Sequence, residues 1–109
     1  MAQKLGYSGV STPPPAMRLE WSELALADLN RFAEFLHHKF PHLATQVATA
    51  IIEESRILLA HPRLGRPIGG RDEYRQLSLR VLNGVYVFQY RVEGERIVML
   101  RVFHGRESR

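Results

Sequence analysis

A chain of 109 residues with 45% hydrophobic content makes about one domain with one small core, not two. It has no cysteine, which excludes disulfides and thiolate metal sites and fits a reducing cytoplasm, the expected location. Residues 1–60 hold five Lys or Arg against six Asp or Glu, whereas residues 61–109 hold ten arginines against five acids.

The basic half is therefore built wholly from arginine, whose planar fork of donors suits carboxylate and phosphate better than lysine does. An acidic protein partner and a nucleic-acid backbone both fit that charge, and so does a plain solvated surface. No apolar run reaches the roughly 20 residues needed to span a bilayer, so no membrane role is expected. Lys4 is followed by no apolar stretch and does not read as the start of a secretion signal.

In chain order, residues 1–16 read as a flexible N-terminal extension, since Gly6, Gly9 and Pro13–Pro14–Pro15 oppose regular structure. A single domain is expected over residues 17–109. Arg18–Trp21 alternates like a strand. Ser22 is placed to cap a helix whose apolar stripe is Ala25, Leu29, Phe32 and Leu36, flanked by Ala33, Phe35 and Phe40. Asp28, Asn30, Arg31 and Glu34 fall on its wetter side. Pro41 ends this helix and opens a second one through Ala44, Val47, Ile51, Ser55 and Leu58, which Pro62 stops. Two striped helices joined by a short link form an antiparallel hairpin in need of a third surface.

Residues 63–70 carry Gly65, Pro67, Gly69 and Gly70 and read as a loop. Beyond them the period becomes two. Asn83–Gly84 is the strongest hairpin signal, because both residues tolerate the positive φ of a tight turn. Tyr86, Phe88, Tyr90 and Val92 share one strand face. In the last strand the alternation puts Val98, Leu100 and Val102 on one side and Ile97, Met99, Arg101 and Phe103 on the other. The expected fold is α+β: an N-terminal strand, an antiparallel helical hairpin, then a three-stranded antiparallel meander, all in one small sheet. Both helices can cover one face and leave the other partly open.

Few residues point to chemistry. His37, His38 and His42 bracket a helix junction, and His61 ends a helix; surface polarity accounts for them, and no metal or cofactor is expected. No glycine-rich segment continues into the Lys–Ser or Lys–Thr of a nucleotide-binding loop. His104 differs, because it ends the last strand beside Gly105 and Arg106. A histidine there can move a proton while arginines neutralise a phosphate. A local hydrogen bond, to Glu107 for example, is the simpler account.

Trp21–Ser22, Ala25 and Asp28–Leu29, a Gly65–Arg66–Pro67 step, Tyr86–Arg91, and the closing run from Ile97 to Glu107 with its Arg-Val-x-His-Gly-Arg signature together resemble the RelE/ParE toxin superfamily, closest to the ParE plasmid-stabilisation branch. The resemblance spans about residues 17–107. It implies the toxin of a type II toxin–antitoxin pair, neutralised by a cognate antitoxin and touching operator DNA only through that antitoxin. RelE-like members cut messenger RNA on the ribosome with basic residues, an arginine on the third strand and a C-terminal tyrosine. Here Val87 stands at the strand position, and Ser108 and Arg109 follow Glu107. ParE-like members poison DNA gyrase by binding, with no turnover of their own. The expectation is therefore a gyrase inhibitor, with an endoribonuclease (His104, Arg101, Arg106 and Tyr86 as its site) and a non-toxic antitoxin-binding protein as alternatives. Arg75, Arg80, Arg101, His104 and Arg106 are the expected contacts with target or antitoxin.

Overall fold

The computed structural model describes residues 17–106 except Asn83. The expected extension over residues 1–16, the turn role of Asn83 and the contact between His104 and Glu107 lie outside the described residues. Strand β1 (Arg18–Trp21) leads into helices α1 (Glu23–Lys39), α2 (Pro41–Ser55) and α3 (Ile57–Ala60), followed by β2 (Arg66–Ile68), β3 (Arg71–Val81), β4 (Gly84–Glu93) and β5 (Arg96–His104). The strands form one sheet in the order β1-β5-β4-β3-β2. β1 lies parallel to β5, from Arg18 opposite Arg96 to Trp21 opposite Met99, and the other pairings are antiparallel. The α+β layout expected from the sequence is the one observed.

Local chemistry explains the joints. Ser22 Oγ accepts the Ala25 N–H at 3.1 Å and donates to the Leu100 carbonyl at 3.1 Å, so one hydroxyl caps α1 and ties it to β5. Phe40 closes α1 by donating its N–H to the Leu36 carbonyl, and Pro41 opens α2 where a missing N–H costs nothing. The apolar stripes of α1 and α2 meet the sheet through Leu29, Phe32, Val47 and Ile51, packed on Tyr86, Phe88, Tyr90, Ile97, Met99 and Val102. Each fully buried side chain of this size contributes about 1.5–3 kcal/mol relative to exposure. An exposed ion pair contributes about 0–1 kcal/mol. The core, not the many surface arginine–carboxylate pairs, therefore carries the fold.

Six details differ from the sequence reading. α2 ends at Ser55, and Leu58 belongs to the single-turn α3 that follows Arg56. The segment expected as a loop contains β2, whose Pro67 is tolerated because the strand is at the sheet edge. β3 closes on β4 with Val81 opposite Gly84, so Gly84 sits in the strand and Leu82 takes the positive φ of the turn, 55°. Arg101 lies opposite Gln89 and Met99 opposite Tyr90, which leaves Leu100 as an extra residue. That bulge resets the alternation, and Ile97, Met99 and Val102 are the buried residues of β5. Phe35 and Phe40 are exposed, at 64% and 57%. Asp28, expected on the wet side of α1, is 1% exposed.

The sheet face away from the helices carries two cross-strand rows. Ser78, Val87 and Phe103 form one; Gln76, Gln89 and Arg101 form the next, with Gln89 Nε2 donating to Gln76 Oε1 at 3.1 Å.

Candidate functional site

Where the helical hairpin leaves the sheet near the β3–β4 turn, a groove of about 540 Å³ opens. α1 contributes Arg31, Phe32, Phe35 and Leu36 to it, and α2 contributes Leu43 and Val47. The sheet side supplies Val81, Leu82, Gly84, Tyr86 and His104, with Arg106 beyond the strand. Three rings make one wall: Phe32 meets Tyr86 edge-on at 5.2 Å, and Tyr86 meets His104 edge-on at 5.1 Å. Phe35 adds a further ring, and Leu36, Leu43, Val47, Val81 and Leu82 are aliphatic. The cations Arg31 and Arg106 are its charged lining.

His104 is packed into this wall. Its Nδ1 accepts the Arg106 N–H at 3.1 Å, which leaves the proton of the neutral ring on Nε2. Nε2 lies over Gly84, where an added Cβ would come within 3.1 Å of it. The absence of a side chain at Gly84 is thus what lets the imidazole come this close to the start of β4.

Asp28 connects the groove to the sheet. Its Oδ1 accepts from Arg31 at 2.6 Å and from Arg101 at 3.0 Å, and its Oδ2 accepts from Arg101 Nε at 2.9 Å and from the Val102 N–H at 2.8 Å. β1 stops opposite Met99; beyond it Ser22 Oγ serves the Leu100 carbonyl, and the Asp28 carboxylate serves the Val102 N–H. Burial pushes this carboxyl up, but the hydrogen bonds from Arg101, Val102 and Arg31 outweigh it and hold the group below the ordinary aspartate value. The Arg101 guanidinium also lies 4.7 Å from the centre of the Phe103 ring.

The structure brings Tyr86, His104 and Arg106 together in the groove, and Arg101 joins them through Asp28 and Arg31. Arg80 is exposed on β3, one position before the closing Val81–Gly84 pair. Arg75 lies toward the opposite end of the sheet and is 7% exposed. Its guanidinium donates to the carbonyls of Asp72, Arg63 and Gly65 and pairs with the Asp72 carboxylate, so it fastens the turn between α3 and β2 instead of facing outward. Little of its surface is left exposed for the contact expected of it. The apolar lining of the groove was not read from the sequence. Its available signal was Phe35, an aromatic lying off the core stripe of α1. Among the described residues no group of three His, Cys, Asp or Glu is placed to hold a metal ion. No helix among them is long and apolar enough to cross a membrane.

Known proteins resemble this chain in sequence and fold. A toxin of Caulobacter vibrioides, "Toxin RelE1", is 28% identical over 85 residues, covering 78% of this chain and 89% of the relative. The solved structure of a chromosomal ParDE toxin–antitoxin system from P. aeruginosa superposes with a TM-score of 0.66 at 26% identity, over 82% of this chain and 96% of that one. A mutant of the E. coli toxin RelE in the free state shares the fold with a TM-score of 0.57 at 19% identity, over 81% of this chain and 82% of that one. Residues 19–109 match the family described as the ParE toxin of the type II toxin–antitoxin system parDE. With nearly all of the described fold inside that match, the chain belongs to the ParE toxin family, within the RelE/ParE superfamily.

Proposed function

We propose that this chain is the toxin of a type II pair, that it inhibits DNA gyrase by binding, and that an antitoxin segment neutralises it by occupying the groove. The observation that carries the reading is the state of the basic residues. Cleavage through a 2′-hydroxyl needs one group to accept a proton, another to donate one, and charge stabilisation on phosphorus. Arginine supplies only the last, because its pKa above about 12 keeps it charged at neutral pH. His104 has its Nδ1 engaged by the Arg106 N–H and its ring packed on Tyr86 and Gly84. Val87, at the position where the RelE-like pattern has an arginine, is 5% exposed between Ser78 and Phe103. Docking to a target by shape and charge makes no such demand.

The antitoxin part rests on the groove's chemistry. An apolar trough with arginines in its lining fits an amphipathic segment that carries carboxylates and orders on binding. The test adds the purified chain to gyrase, DNA and ATP, and separately to translating ribosomes. Supercoiling is expected to stop with cleaved DNA trapped, while messenger RNA stays intact. Cuts in ribosome-bound RNA that vanish in His104→Ala, with gyrase unaffected, would replace this reading by the nuclease one.

A further inference from the structure

The β3–β4 hairpin ends in a residue that is costly twice over. Leu82 holds a φ of 55°, the only positive φ outside glycine among the described residues. That region suits Gly or Asn, because the leucine Cβ crowds the carbonyl beside it. The same side chain is 43% exposed, and it belongs neither to the buried core nor to the residues packed on it. A glycine or an asparagine would make this turn with neither penalty. Leucine is an odd choice for the free chain alone.

Its position supplies the reason. Leu82 lines the groove from the sheet side, while Phe35, 64% exposed, lines it from α1. We propose that Leu82 is an affinity- and specificity-determining anchor, held out by a strained turn to pack against the apolar face of the partner segment in the groove. The occupant is an amphipathic segment of the antitoxin, with apolar residues toward Leu82 and Phe35 and carboxylates toward Arg31 and Arg106. Charge complementarity with those arginines selects it over a second copy of this chain, whose matching groove would bring arginine against arginine. The inference rests on the antitoxin reading of the groove given above. Backbone strain at such a residue persists where the side chain is put to use, and large apolar anchors carry most of the energy of such contacts.

The experiment uses Leu82→Gly, Leu82→Ala and Leu82→Met in the full chain, with the product of the adjoining reading frame as the probe. Both truncations remove the anchor, but only glycine relieves the positive φ. Gly and Ala variants are expected to bind the probe at least about tenfold more weakly, and the Met variant within about threefold of the parent, since it keeps a flexible apolar side chain. In the free chain the Gly variant should melt at a higher temperature than the Ala variant, by about 2–5 °C.

Probe affinity unchanged within about twofold in both truncations would overturn the anchor while leaving the toxin reading intact. A fall of more than about 10 °C in the melting temperature of the Gly variant would assign Leu82 to the fold and overturn it too. Loss of self-association by sedimentation, with probe binding retained, would replace the antitoxin by a second copy. No binding of the probe by the unsubstituted chain would instead defeat the antitoxin reading itself.

Discussion

Asp28 of α1 and Arg101 of β5 stand 73 residues apart and join through two hydrogen bonds, Nε to Oδ2 at 2.9 Å and a terminal nitrogen to Oδ1 at 3.0 Å. The Asp28 side chain is buried while that of Arg101 is about one-third exposed. The same carboxylate also receives the Val102 N–H and Arg31, so one side chain serves the edge of β5, the helix and the groove. Removing it strands several donors at once.

Asp28→Ala should therefore destabilise the fold by about 3 kcal/mol, the usual consequence of leaving one half of a buried ion pair. Asp28→Asn should cost less, because an amide oxygen can still accept the Val102 N–H. Urea unfolding of the three proteins checks the order. Equal stability of the Ala variant and the parent would show that the pair contributes nothing net.

The same carboxylate makes the fold acid-sensitive in a defined direction. Its pKa in the folded chain is lowered, so its stabilisation is fully present above the unfolded value of about 3.9 and is lost as pH falls through the folded value. Asp72, Glu73 and Glu93 are lowered too and add to the same trend from the surface. Stability measured from pH 5 downward is expected to fall, and to fall less steeply in Asp28→Asn. Parallel slopes for parent and variant would rule out the Asp28 contribution.

Tyr90 holds the chain where it passes from helix to sheet. Its hydroxyl donates to the Pro62 carbonyl at 2.9 Å and accepts the Gly65 N–H at 2.9 Å. Tyr90→Phe should cost about 1–2 kcal/mol, the range for a buried donor or acceptor left unmet, and should speed hydrogen exchange at Gly65. Gly65→Ala should cost more than a surface change, since its Cβ would lie 2.8 Å from both the Gln76 carbonyl oxygen and the Tyr90 hydroxyl. Native-state exchange on the two variants reads both effects.

Arg106 is exposed at the groove and acts on a partner mainly at long range. Arg106→Glu is expected to slow association with the antitoxin about three- to tenfold at low salt and less at high salt, with a smaller change in dissociation. Stopped-flow mixing at two ionic strengths distinguishes this from a lost short-range contact, which would appear in the dissociation rate.

The helix stripes and the strand meander were legible because Leu29, Phe32, Val47 and Ile51 repeat at helical spacing, and Tyr86, Phe88 and Tyr90 at spacing two. What stayed hidden depends on partners distant in the chain. Asp28 looks like a solvated helix residue until β5 arrives with an N–H and a guanidinium to satisfy. The bulge at Leu100 inverts a local alternation, which no local pattern announces. Leu82 takes the turn conformation that the neighbouring Asn83–Gly84 would be expected to take. At the site, Tyr86, His104 and Arg106 could be named as candidates, but the apolar trough comes from two helices and a hairpin tip that only tertiary packing brings together.

The parallel pairing of β1 with β5 bears on how the chain reaches its native state. The β3–β4–β5 meander is built from near neighbours and can form early. Pairing Arg18 with Arg96 instead closes a loop spanning most of the domain, and loop-closure entropy must be met before that contact returns any stabilisation. β1 is therefore the last strand expected to dock, and substitutions at Leu19 should alter the unfolding rate far more than the folding rate. Ser22 and Asp28, which fasten α1 along the same edge of β5, would complete their bonds in that final step. The groove between helix and sheet would then take its native shape late in folding, after the sheet that forms one of its walls.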